Sequence, residues 1–149
     1  MRAIYLLSEQ AEAPTPPFRT GDVGTVNVDP SGCLELRVGV SLSANTVHAL
    51  LGHGVVDALN ELSIEGRIGD GREALIPPSS LDDTRRIFYE ADRRTYGGSF
   101  EFVVERRTSP ELVEYRIRIE NREYQASLAR LQFLVTQAGH DGLAVWIRI

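Results

Sequence analysis

Val113-Glu114-Tyr115-Arg116-Ile117-Arg118-Ile119-Glu120 is the stretch that decides the fold. In an extended chain successive side chains point to opposite faces. Val113, Tyr115, Ile117 and Ile119 therefore share one side, and Glu114, Arg116, Arg118 and Glu120 the other. The pattern predicts a strand with one packed face and one fully charged face, which is solvent or an interface. Just upstream, Phe100, Phe102 and Val104 alternate with Glu101, Val103 and Glu105, and Arg107-Thr108-Ser109-Pro110 turns the chain between the two runs.

Downstream of this stretch, Asn121-Arg122 reads as a turn into a short strand over 123–126. Ser127 then reads as the cap of a helix whose stripe is Leu128, Leu131, Leu134, Val135 and Ala138, ended by Gly139. His140-Asp141-Gly142 reads as a turn. Leu143, Val145, Ile147 and Ile149 predict a last strand, with Trp146 and Arg148 on its other side.

Upstream, Leu34, Leu36, Val38 and Val40 alternate with Glu35, Arg37, Gly39 and Ser41, and a strand over 23–28 joins them through Asp29-Pro30-Ser31-Gly32. Ser43 or Asn45 caps a helix expected to run to about residue 62. One of its faces carries Leu50, Leu51, Gly54, Val55, Ala58 and Leu62, and the opposite side holds the small residues Ala49, Gly52 and Val56. Gly69-Asp70-Gly71 is a hairpin turn between runs around Ile68 and Ala74. Residues 82–94 combine a Ser80 cap with charge pairs spaced i,i+4, which favours a helix. Ile87-Phe88-Tyr89 also suits a strand. A first short strand is expected at the N-terminus, followed by a Pro-rich candidate mobile segment at 11–20.

Helices interspersed with hairpins predict an α+β fold. The expectation is a single domain over 1–149, with a mainly antiparallel β-sheet and two or three packed helices. The chain's 149 residues suit one domain, and its 42% apolar and 25% charged composition is ordinary for a globular protein.

Composition excludes several chemistries. All 16 basic residues are arginine, so lysine Schiff-base chemistry and a P-loop lysine are absent. Cys33 is the one cysteine, which rules out an internal disulfide or a paired-cysteine zinc site. The net charge of -5 and a pI near 5.2 make nucleic acid an unexpected partner. No run approaches the ~20 apolar residues of a membrane helix, so no membrane partner is expected. The apolar start of the chain is too short for a signal-peptide core, and the expected address is the cytoplasm.

Candidate sites are few. His53, Asp57 and Glu61 are spaced i,i+4,i+8, and a carboxylate one helical turn from an imidazole raises its basicity, as general bases require. His140 is a further candidate from elsewhere in the chain. The cysteine and histidine pattern contains no metal site, and no cofactor is expected. Arg85-Arg86, Arg93-Arg94 and Arg106-Arg107 lie among aromatics and acids; on one shared face they suit an acidic protein as well as RNA. The first functional expectation is a non-enzymatic protein-binding domain of the inhibitor, immunity or adaptor kind. Its candidate interaction residues are Glu114, Arg116, Arg118 and Glu120. The alternatives are a small acid–base or metal-assisted hydrolase built on His53 and Asp57, and a homo-oligomer, such as a homo-dimer, joined through Ala49, Gly52 and Val56.

Overall fold

The computed structural model describes residues 19–31, 33–107 and 113–149; the side chains of 104–107 and 113–115 lie outside the description. The expected first strand, most of the 11–20 segment, Gly32 and the turn at 108–112 fall outside the described residues.

The fold is α+β. Strands β1 (Asp22–Val28), β2 (Leu34–Ser41), β3 (Glu65–Gly69), β4 (Arg72–Ile76) and β7 (Ala144–Arg148) form one sheet in the order β2-β1-β7-β4-β3. Every pairing in it is antiparallel. The last strand of the chain thus enters between two hairpins and becomes the centre. Ala144, Val145, Trp146 and Ile147 are all buried, as a central strand packed on both faces requires. Val145 and Ile147 join the main core, whereas Ala144 and Trp146 pack with Val26, Leu34, Leu36 and Leu75 in a second, smaller cluster on the opposite face. Strands β5 (Ser99–Arg107) and β6 (Val113–Glu120) form a separate two-stranded antiparallel ribbon.

Four α-helices complete the described chain: α1 (Ala44–Gly52), α2 (Val55–Asn60), α3 (Leu81–Arg94) and α4 (Asn121–Asp141). Leu50, Leu59, Phe88, Leu128, Leu131, Leu134 and Val135 from these helices meet Val23, Ile76, Val145 and Ile147 of the sheet in one core. Helices α3 and α4 run antiparallel. Leu81 at the start of α3 lies beside Gly139 near the end of α4, while Asp92 at the other end is close enough to Tyr124 to act on its hydroxyl.

The hairpin expected around residues 69–71 is present. Gly69 pairs with Arg72, and Asp70 and Gly71 both have positive φ (58° and 69°), as a two-residue turn that matches strand twist demands. The 82–94 segment is a helix, with Arg86–Asp83 and Arg94–Glu90 ion pairs along it. Ser80 sits at its N-cap position, but its hydroxyl donates to the Ser63 carbonyl instead of capping the helix.

Five local readings are corrected. The last helix does not end at Gly139: it runs on through His140 and Asp141 and is closed by a left-handed Gly142 (φ 67°), so 140–141 are helical and not part of a turn. The helix expected from Ser43 to about 62 is two helices. Ser43 does cap the first, accepting from the Thr46 N–H. Gly54 then turns left-handed (φ 76°), a conformation L side chains rarely adopt, and the axis changes direction. The short strand expected over 123–126 is the first turn of α4. Asn121 anchors that turn: its N–H donates to the Gly98 carbonyl, and its side-chain amide donates to the Tyr96 and Gly97 carbonyls. Ser127 is consequently a buried mid-helix residue facing Thr46 Oγ1 at 3.3 Å, not a cap. In β2 the alternation breaks where Thr25 pairs with Val38 but Val26 pairs with Leu36. The extra residue splits the run: Leu34 and Leu36 pack in the smaller cluster, Val40 packs against the main core on the other face, and Val38 is 38% exposed.

Candidate functional site

The candidate interaction residues Arg116, Arg118 and Glu120 stand on β6 of the ribbon. Glu101 lies opposite Arg118, Val103 opposite Arg116 and Ser99 opposite Glu120. Arg116, Arg118 and Glu120 are exposed. The Arg116 guanidinium is 3.7 Å from the Glu101 carboxylate, with both side chains more than half exposed, and Arg118 Nε donates to Ser99 Oγ at 3.0 Å. Such exposed pairs contribute little to stability, because water competes for both charges. Val103 stands on the same face, 46% exposed, beside a register shift between Val103 and Glu105. The Glu114 side chain lies outside the described residues. No described strand pairs with either outer edge of the ribbon.

Beneath the ribbon, Phe100, Phe102 and Ile119 point inward. Phe100 and Phe102 meet the His53 ring edge-on, with centroids 4.5 and 5.0 Å away, and Tyr124 from α4 stacks on it at 4.8 Å. His53 reaches this box because it is the residue at which α1 stops; its N–H closes the helix end on the Ala49 and Leu51 carbonyls. Burial pushes the imidazole below its ordinary pKa and so favours the neutral ring. His53 Nε2, Tyr124 OH and Asn121 Oδ1 are buried without a hydrogen-bond partner among the described residues. The Tyr124 hydroxyl is held well above its usual range, first by burial and then by the Asp92 charge.

One side of His53 opens on a cleft of about 270 Å³, lined by His53, Val55 and Ala58 on one wall and by Ile87, Glu90 and Arg94 on the other. Glu90 is engaged with Arg94 at 3.0 Å. Asp57 is exposed in the first turn of α2, beyond the Gly54 break, so the i,i+4 spacing does not set it beside His53 on one helix. His140 is exposed near the far end of α4, roughly 24 Å along the axis from Tyr124 at 1.5 Å per residue. The three residues are therefore not brought together, and no hydrogen bond joins His53 to a carboxylate among the described residues. No group of three or more His, Cys, Asp or Glu side chains among the described residues is placed to hold a metal. No described helix is long and apolar enough to cross a membrane.

The small residues of α1 and α2 differ in cover: Gly52 is exposed apart from the side taken by Phe102. Ala49 and Val56 are buried, and the Phe102 ring lies directly on Gly52, where a β-carbon would sit 2.2 Å from Cδ1. Sequence reading singled out Gly52 as a close-packing position but could not supply its neighbour, which is 50 residues away in the chain. Phe100, Phe102 and Tyr124 as the surroundings of His53 were missed for the same reason. Comparison of the chain with protein-family models, curated proteins and solved structures finds no match.

Proposed function

We propose that the chain is a non-enzymatic, cytoplasmic protein-binding domain of the inhibitor, immunity or adaptor kind, with the outer face of the β5–β6 ribbon as its recognition surface. One observation carries the reading. The ribbon is a separate sheet whose inner face is spent on the core, while its outer face presents alternating charge and an exposed Val103. Solvent-exposed ion pairs are easily exchanged for pairs across an interface, and alternating charge fixes register and suppresses wrong partners. An unpaired ribbon edge also offers main-chain donors and acceptors to an added strand.

The test is capture of a stoichiometric protein from native-host lysate by wild type, repeated with Arg116→Glu and Arg118→Glu. The expected result is a complex that persists at moderate salt and is lost in both variants while their melting temperatures hold. A complex unaffected by either substitution would remove this face as the binding surface.

A second reading, an acid–base enzyme using His53, draws support from the cleft beside that ring and from its neutral state. It requires substrate to reach an imidazole nitrogen that is now enclosed by aromatic rings. Turnover abolished by His53→Gln with the fold intact is its expected signature.

A further inference from the structure

The arginine pairs separate in the fold. Arg94 turns toward the His53 cleft and pairs with Glu90, whereas Arg85 and Arg86 open on the other flank of α3. There they line a groove of about 610 Å³ between α3 and α4, together with Asp82, Tyr89, Gln132 and Thr136. Arg93 belongs to the same flank, since its guanidinium carbon stands 5.8 Å from the centre of the Tyr89 ring. Asp82, Arg86, Tyr89 and Arg93 follow the four-then-three spacing of a single helical seam.

Two guanidinium groups thus line the groove against one carboxylate, and Arg93 extends the same flank beside Tyr89, on a chain whose net charge is -5. Arg85 makes no ion pair with a described residue, and Arg86 is shared with Asp83 outside the groove. The α4 wall carries no charge, contributing Gln132 and Thr136. Tyr89, in the groove, is 50% exposed.

We propose that the α3–α4 groove is a docking site for an acidic amphipathic helix of a partner protein. The partner's carboxylates pair with Arg85 and Arg86 in the groove and with Arg93 beside it, and its apolar edge packs on Tyr89. Two antiparallel helices leave a furrow whose ridges accept a third helix, and the α3 wall supplies both the guanidinium groups and the Tyr89 ring. The proposal is independent of the ribbon, which lies on different elements.

The test uses fluorescence anisotropy with three labelled probes: a helical peptide of leucine and glutamate in heptads, the same peptide with lysine for glutamate, and a polyuridine oligonucleotide. The full chain is expected to bind the leucine–glutamate peptide in a salt-dependent way and neither other probe. Arg85→Glu and Tyr89→Ala, both at exposed positions, should each weaken binding at least ten-fold with unchanged melting temperatures. Arg67→Glu on β3 makes the same charge change away from the groove and should leave binding intact. Failure of the leucine–glutamate peptide to bind, preference for the oligonucleotide, or equal losses in Arg85→Glu and Arg67→Glu would each overturn the proposal.

Discussion

Gly52→Ala should destabilise this protein, although the same change in an open helix would stabilise it. Alanine is favoured over glycine in a helix by up to ~1 kcal/mol, and Gly52 is the last residue of α1. The added methyl, however, would lie 2.2 Å from Cδ1, 2.3 Å from Cε1 and 2.9 Å from Cγ of Phe102. These are ring atoms, so the whole ring must move, and it is already held edge-on against His53. Forcing an extra methyl into a packed site typically costs ~1–3 kcal/mol. The clash outweighs the helix term, leaving a net loss of roughly 1–2 kcal/mol by this reasoning. For a chain of this size that lowers the melting temperature by roughly 3–8 °C. Phe102→Ala removes the obstacle. In that background Gly52→Ala should change sign and raise stability by ~0.5–1 kcal/mol. Thermal and urea unfolding of the four proteins in the cycle measure both effects. A single variant Gly52→Ala as stable as wild type, or the same shift in both backgrounds, would refute the packing of the ribbon on α1.

Asn60→Ala should cost ~1–3 kcal/mol in urea unfolding. The Asn60 amide donates to the Ile68 carbonyl at 2.9 Å and accepts from its N–H at 2.8 Å, so truncation strands both backbone groups. Thr84→Val should be far milder despite complete burial of Thr84, because the Ser80 carbonyl loses only one donor and the shape is kept; a loss as large as that of Asn60→Ala would count against this ranking. His53 should titrate by NMR below its ordinary value of 6.5. With the folded pKa lowered, the unfolded chain takes up the proton first as pH falls. Stability is therefore complete above about 6.5 and declines below it until the folded imidazole also protonates, and His53→Gln should flatten that limb.

Much of the architecture was legible in the sequence because it follows from local period and turn chemistry. The alternation over 113–120, the Asp70-Gly71 turn and the apolar stripe from Leu128 to Ala138 each determine an element from neighbours in the chain. Gly54 shows where that reasoning stops. The apolar spacing continues through it, so periodicity reads one helix, but the tertiary fold uses the glycine to change direction and leave His53 at a helix end. Residues 123–126 alternate well enough for a strand, yet Asn121 finds the carbonyls of Tyr96 and Gly97 and starts a helix instead.

The candidate surfaces divide along the same line. That Arg116, Arg118 and Glu120 share a wet face is a property of the strand period, which the sequence by itself determines. That Phe102 packs against Gly52, that three aromatic rings surround His53, and that Arg85 and Arg86 line one groove while Arg94 turns to another were decided only in three dimensions. Those relations join elements distant in the chain, and no local spacing encodes which distant side chain fills a given space.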